Sequence, residues 1–172
     1  MKKILKGLLI VLSCYIIALA IKAIFLENIV VAGSSMSGTL EHGDFGIADK
    51  TVYKITGINR FDIVVVDLKD DDTDLIKRVV GLPNEKIEYS NGILRINGEV
   101  IEEEFLSQDK KIATGSFAFQ LKDNEYFVMG DNRGNSRDSR IFGSVELEEI
   151  AARVFLMIGR CVSDLQCDVD NV

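Results

Sequence analysis

The stretch from Ile87 to Glu103 has the sequence IEYSNGILRINGEVIEE. It contains two Asn-Gly pairs, Asn91-Gly92 and Asn97-Gly98, each flanked by short runs in which apolar and polar residues alternate. Asn-Gly is a favoured sequence for a type I′ turn, the tight connection between neighbouring antiparallel strands. The stretch therefore predicts a meander of short antiparallel strands.

The remaining apolar runs of the chain are also short and rich in Val and Ile, as expected for strands. They are Ile29 to Val31, Ile63 to Val66, Val79-Val80 and Tyr126 to Met129. A helix is favoured by propensity only at Glu146 to Arg153, with the sequence ELEEIAAR. Asp70 to Asp72 is either a solvated loop or a cation site. The pattern predicts one mainly β domain.

Length and charge limit the function classes. The chain has 172 residues, which favours a single compact domain. All 27 acidic residues lie at or after Glu27, and 16 of the 20 basic residues accompany them, so this part carries −11 against −7 for the whole chain. An acidic body is a poor binder of nucleic acid. A single histidine excludes a multi-histidine metal site.

The N-terminal segment predicts a membrane helix. Residues Gly7 to Leu26 are interrupted by one charge, Lys22, and as a helix they span about 30 Å, one hydrocarbon thickness. Three preceding lysines predict that residues 1–6 are cytoplasmic and residues 27–172 lie outside. A cleaved signal peptide is the alternative, since Ala18-Leu19-Ala20 fits an A-x-A cleavage site. Both interpretations export the body, where Cys161 and Cys167 either pair or remain free thiols.

Two segments of the body carry candidate reactive groups. VAGSSMSGTL, Val31 to Leu40, has small residues that leave a serine hydroxyl accessible, although a flexible linker has the same composition. In DLIKRVVG, Asp74 to Gly81, a strand would put Lys77 on one face with Leu75 and Val79. Burial there would lower the pKa of Lys77 towards that of a general base, whereas a solvent-facing edge lysine would be unperturbed.

A third segment, Gly130 to Arg140, has the sequence GDNRGNSRDSR and predicts a polar loop that braces the fold. The only histidine, His42, lies in a short polar turn, and the G-x-S-x-G elbow is missing from the sequence. A serine paired with a lysine base is therefore favoured over a Ser-His-Asp triad.

These segments together resemble a known family. The order of apolar anchor, GSSMSGTL, FDIVVV, IKRVVGLPNE and GDNRGNSRDSR is similar to type I signal peptidases of the short Gram-positive kind, peptidase family S26, from the anchor to about Gly143. The resemblance implies an antiparallel β-sheet catalytic domain behind one retained transmembrane helix. It also implies cleavage of signal-peptide-bearing preproteins after A-x-A sites at the lipid bilayer, without metal or cofactor. The oligomeric state is left undecided.

The resemblance also implies residue roles. Ser35 would be the nucleophile, with its own backbone N–H holding part of the oxyanion, and Lys77 the general base. Ser136 would hydrogen-bond the Lys77 amine, and Met36 follows the nucleophile as in the family. A second oxyanion donor is unassigned, because glycine stands at Gly33, where some members have serine.

The Gly130 to Arg140 loop would support these groups. The resemblance implies a salt bridge between Asp138 and Arg140, with Asp131 and Arg133 bracing the same region. Two alternatives belong to other classes. A non-catalytic or locus-dedicated factor for pilus or surface-protein assembly would share the fold, and a self-cleaving Ser–Lys repressor would need DNA-binding elements.

The sequence departs from the family pattern at two positions. Gly38 stands where the family normally has proline, and we expect it to loosen the loop by freeing φ. Asn84 stands where glycine is common, in a turn that tolerates Asn.

Overall fold

The structure is a computed structural model and describes residues 2–69 and 73–160. The possible Cys161–Cys167 pair and the Asp70 to Asp72 cation site lie outside these residues. The helices are α1 Lys2–Phe25, α2 Tyr53–Thr56, α3 Gln108–Ala113 and α4 Ser139–Phe142. The strands are β1 Leu26–Val30, β2 Asp44–Asp49, β3 Ile63–Val66, β4 Leu75–Gly81, β5 Lys86–Ser90, β6 Ile93–Ile96, β7 Glu99–Ile101, β8 Phe117–Gln120, β9 Glu125–Met129, β10 Val145–Glu146 and β11 Ile150–Arg160.

Helix α1 is long and apolar enough to cross a bilayer. Its segment Ile4–Phe25 has a mean hydropathy of 2.6, and none of its most apolar window is buried against the rest of the protein. The predicted helix boundary is one residue late, because Leu26 already begins β1. The Lys50 N–H donates to the Phe25 carbonyl at 3.0 Å, so the helix passes into the sheet without a linker.

The larger sheet has seven antiparallel strands in the order β1-β2-β11-β3-β4-β9-β10. The predicted core strand Ile63–Val66 is confirmed as β3, and its last three valines are buried. Val64 and Val66 share a core with residues of β4, β9 and β10, including Val79, Val128 and Val145, each 0% exposed. Val65 faces the other side of the sheet and packs with Ile29, Ala48 and Ala152. This packing holds β4, the strand that carries Lys77, between β3 and β9 in the interior of the sheet.

The smaller sheet contains the predicted meander and has the order β7-β6-β5-β8. Asn91 and Gly92 have φ of 53° and 76°, and Asn97 and Gly98 have 52° and 87°, so both Asn-Gly turns are confirmed. The two sheets meet at Gly81, where an added Cβ would lie 2.2 Å from the Ile87 side chain. Asn84, in the following turn, has φ of 69° as expected for a residue that replaces glycine.

The helix expected at Glu146 to Arg153 is wrong. The segment ends β10, makes a 3₁₀ turn at Leu147–Glu149 and continues as β11. Ile150 and Ala152 are buried and pair with Val66 and Val65 of β3. Sheet pairing with a distant strand outweighs the modest helix propensity of ELEEIAAR, which is worth only tenths of a kcal/mol per residue.

Candidate active site

The structure brings Ser35 and Lys77 together. Ser35 lies in the loop between β1 and β2, and Lys77 lies within β4. The Lys77 Nζ donates to the Ser35 Oγ at 2.9 Å and to the Ile76 carbonyl at 2.9 Å. Met36, next to Ser35, is 1% exposed and packs with Val31 and Leu40. This apolar anchor fixes the backbone that carries the hydroxyl.

Lys77 is buried, which decides against the solvent-facing alternative. The side chain lies in a strand flanked by β3 on one side, with only 2% of the residue exposed. Burial lowers the pKa of Lys77 from 10.5 to about 8, with Asp138 opposing the shift and Arg137 adding to it. Desolvation disfavours the ammonium form, so the dominant cause is the apolar surroundings. A lysine tuned in this way can accept a proton near neutral pH.

The Gly130 to Arg140 loop is held by Asp138. Its carboxylate pairs with Arg140 at 2.8 Å, which is the expected salt bridge, and accepts the Gly130 N–H at 3.0 Å. Burial alone would raise the pKa of Asp138, but the Arg140 guanidinium and the Gly130 N–H together hold it below its usual value. Asp138 is therefore ionised near neutral pH, and its negative charge raises the pKa of Lys77.

Asp131 and Arg133 brace this region through partners outside the loop. Arg78, the neighbour of Lys77, pairs with Asp131 at 2.6 Å, and Arg133 pairs with Glu103. All four side chains are at most 9% exposed. The sequence does not mark Arg78 and Glu103 as site residues, because their partners lie 53 and 30 positions away along the chain.

The structure differs from expectation at Ser136. Its Oγ is buried without a hydrogen-bond partner among residues 2–69 and 73–160, and the Lys77 amine donates to Ser35 and Ile76 instead. Ser136 nevertheless lies at the site. A Cβ added to Gly130 would be 2.2 Å from the Ser136 Oγ and 2.5 Å from the Ser35 carbonyl oxygen. Glycine at 130 lets these two serines approach the same strand end.

Two asparagines of the loop hold the Ser34-Ser35 backbone. Asn132 donates its N–H to the Ser35 carbonyl at 2.9 Å and its Nδ2 to the Ser34 carbonyl at 3.0 Å. Asn135 donates its Nδ2 to the Ser34 Oγ at 3.2 Å. Asparagines in a turn-rich sequence are common, so this clamp has no distinctive sequence signal.

His42 is exposed, and its Nδ1 accepts the Gly33 N–H at 3.2 Å. The histidine thus stabilises the start of the loop, and the Ser35 hydroxyl is approached by a lysine, in line with the preference for a Ser–Lys pair.

A cleft of about 190 Å³ opens beside this pair. Its wall includes the apolar side chains of Ile29, Val65 and Ile76. β1 is the outer strand of the larger sheet, and β4 pairs with β9 only from Arg78 onward. Among residues 2–69 and 73–160, the backbone of β4 beside the cleft thus has no strand partner on that side. An unpaired strand edge can hydrogen-bond an extended peptide.

Comparison with known proteins shows which family the chain matches. Residues 4–158 match the family described as signal peptidase, peptidase S26. The chain belongs to this signal peptidase family. It is 39% identical to signal peptidase I of Bacillus caldolyticus over 140 residues, covering 74% of this chain and 76% of the relative. It is 30% identical to signal peptidase IB of Staphylococcus aureus strain COL over 169 residues, covering 89% and 88%.

A crystal structure of a signal peptidase I from Enterococcus faecalis V583 has a similar fold. It shares 31% identity and a TM-score of 0.53, covering 57% of this chain and 97% of that chain. The expected family and its mainly β fold are therefore confirmed. The apolar α1 helix and these signal peptidase relatives together indicate attachment to a membrane.

Gly38 is the main departure from the signal peptidase pattern, and it does not leave the loop loose. Its φ is 98°, a value that proline cannot adopt, and its N–H donates to the Glu41 Oε1 at 2.9 Å. The Ser37 Oγ donates to the other oxygen of the same carboxylate at 3.1 Å. Of these two hydrogen bonds, a proline at position 38 would remove the one that the Gly38 N–H donates.

Proposed function

We propose that this protein removes signal peptides from exported preproteins by acyl transfer, with Ser35 as nucleophile and Lys77 as general base. The observation that carries the proposal is the 2.9 Å contact between the Ser35 Oγ and the buried Lys77 Nζ. As a member of its family, the protein is a membrane signal peptidase and a serine endopeptidase. Nothing in the site favours a non-catalytic assembly factor.

In the first step, neutral Lys77 accepts the hydroxyl proton as the Ser35 Oγ attacks the scissile carbonyl carbon. The Ser35 N–H would then donate to the developing oxyanion, a contact worth about 3 kcal/mol per donor in acyl transfer. The protonated Lys77 gives its proton to the leaving amine, and the mature protein departs. Water, deprotonated by Lys77, hydrolyses the acyl-enzyme and restores Ser35.

The cleft suggests how the substrate binds. An extended signal-peptide end can add as a strand beside the unpaired edge of β4, with its −1 and −3 side chains against the apolar wall. The limited volume favours small residues such as Ala, which agrees with A-x-A sites. The Ser136 Oγ and the Ser35 carbonyl oxygen both lie next to Gly130. When substrate displaces the present contacts of the Lys77 amine, the Ser136 hydroxyl would turn to hydrogen-bond it.

The membrane arrangement is part of the same proposal. Helix α1 would span the bilayer with residues 1–6 in the cytoplasm, and residues 27–172 would form the extracytoplasmic catalytic domain. Because α1 joins β1 directly, the cleft would lie close to the outer lipid surface, where the end of a signal peptide emerges.

The test is cleavage of a preprotein with an A-x-A site by the full chain in detergent micelles. Wild type should cut after the −1 Ala, and Ser35→Ala and Lys77→Met should each lose activity at least about 1,000-fold. Lys86→Met and Ser116→Ala alter exposed residues of the smaller sheet region and serve as controls. Undiminished cleavage by Ser35→Ala or Lys77→Met would contradict the assigned roles.

A further inference from the structure

Lys110, which lies outside the loop that carries Ser35, hydrogen-bonds to the backbone of that loop. This half-buried lysine lies on α3, 73 residues after the loop, and its Nζ donates to the Ser37 carbonyl. The bond joins a short helix to the turn two residues beyond Ser35. An ammonium group makes a stronger hydrogen bond to a carbonyl than a neutral donor does.

Gly38 makes room for this ammonium group. An added Cβ at residue 38 would lie 2.2 Å from the Lys110 Nζ and 3.4 Å from its Cε. Any side chain at this position would therefore push the amine away from Ser37. Glu41 holds the same turn from within the loop, through the Gly38 N–H and the Ser37 hydroxyl. Lys110 and Glu41 thus both hold this turn by hydrogen bonds, and the Lys110 contact uses the space that glycine leaves at position 38.

The same helix is also attached to the loop that supports Lys77. Thr114, directly after α3, donates its Oγ1 to the Lys110 carbonyl at 3.0 Å. Arg133 donates to the Thr114 Oγ1, and Arg140 donates to its carbonyl, each at 3.4 Å. Arg140 is the partner of Asp138 in the ion pair behind the lysine. Helix α3 thus connects the serine loop with the loop that braces the base.

We propose that Lys110 is a positioning residue for Ser35, and that Gly38 acts with it by leaving room for the Lys110 amine at the Ser37 carbonyl. The inference rests on the proposed function, because it concerns the placement of the nucleophile. Lys110 acts on Ser35 through the Ser37 carbonyl, two residues further along the loop. Losing it should shift Ser35 relative to Lys77, and small misplacements of reacting groups lower kcat more than KM.

The experiment measures kcat, KM and thermal unfolding of full-length variants in detergent. Lys110→Met should lower kcat about 10-fold with KM within about two-fold of wild type. Gly38→Ala should lower kcat at least as much, because it displaces the Lys110 amine and also strains a backbone with φ of 98°. Adding Lys110→Met to Gly38→Ala should then lower kcat less than Lys110→Met does in wild type, because their shared contact is already lost. Lys111→Met is the matched control. Lys111 lies on the same helix as Lys110, but its ammonium pairs with Glu102 at 3.6 Å.

Chemical rescue separates positioning from a general loss of folding. Lys110→Cys should have the low kcat of Lys110→Met, and alkylation with 2-bromoethylamine, which rebuilds a lysine-like amine, should restore most of it. Alkylation with iodoacetamide should not. Wild type treated identically controls for Cys14, Cys161 and Cys167.

Either of two results would overturn the inference: a Lys110→Met kcat within two-fold of wild type, or a loss that the rebuilt amine does not repair. Failure of the proposed function is a separate result, because it would appear as full cleavage by Ser35→Ala, whatever Lys110 does.

Discussion

Raising the pH from 7 to 9 is expected to increase kcat/KM, because the proposed mechanism needs neutral Lys77. With a pKa of about 8, lowered by burial, roughly a tenth of the enzyme carries a neutral lysine at pH 7 and roughly nine tenths at pH 9. The expected gain is therefore about 10-fold, levelling off above pH 9. An unperturbed lysine would give about 100-fold over the same range, without levelling.

The assay is the initial rate of cleavage at substrate concentrations well below KM, from pH 6 to 10, with a substrate that has no ionisable group within four residues of the scissile bond. Unfolding is followed at each pH, so that a fall in folded protein is not mistaken for titration. Lys86→Met should give the wild-type profile, since this exposed lysine lies on the smaller sheet. A profile that is flat from pH 7 to 9, or still rising steeply at pH 10, would refute the assignment.

Three further changes have defined outcomes. Lys77→Met should unfold at higher temperature than wild type at pH 7, gaining about 2 kcal/mol, because the buried ammonium is destabilising. Since the folded pKa lies below 10.5, wild-type stability should rise between pH 8 and 10.5 and that of the variant should not; a parallel rise in both would contradict this. Asp138→Asn should move the midpoint of the pH–rate profile below that of wild type, because Asp138 raises the pKa of Lys77; an unchanged or higher midpoint would contradict it. Glu103→Ala should cost about 3–5 kcal/mol in thermal or chemical unfolding by leaving buried Arg133 unpaired, whereas exposed Glu102→Ala should cost little; equal effects would exclude a buried-pair contribution.

The parts of the fold that the sequence predicts correctly depend on neighbouring residues. The Asn91-Gly92 and Asn97-Gly98 turns need positive φ at both residues, a property of the dipeptide itself. Strand alternation places Lys77 on one face with Leu75 and Val79 but leaves its burial open, and the structure shows the residue 2% exposed. Such inferences need no knowledge of which distant strand lies alongside.

The parts that were wrong or missed depend on residues far apart in sequence. ELEEIAAR becomes a 3₁₀ turn and a strand because β3 lies beside it, more than eighty residues earlier in the chain. Glu103 is one of three consecutive glutamates, and only the folded chain shows that it faces Arg133. Lys110 looks like any helical surface lysine until α3 is seen against the serine loop. The family resemblance indicated Ser35 and Lys77 as candidates for the reacting groups, but it did not indicate these supporting residues.

The direct passage from α1 into β1 has a consequence for enzymes in different membranes. The last helical residue, Phe25, is already bonded to Lys50, so no flexible joint separates the helix from the sheet. A helix longer than the local hydrocarbon thickness responds by tilting. Since no linker lies between Phe25 and Leu26, such a tilt would also change the orientation of the sheet beside the cleft. Bilayer thickness would then set the angle and height at which the cleft meets a substrate emerging from the same lipid.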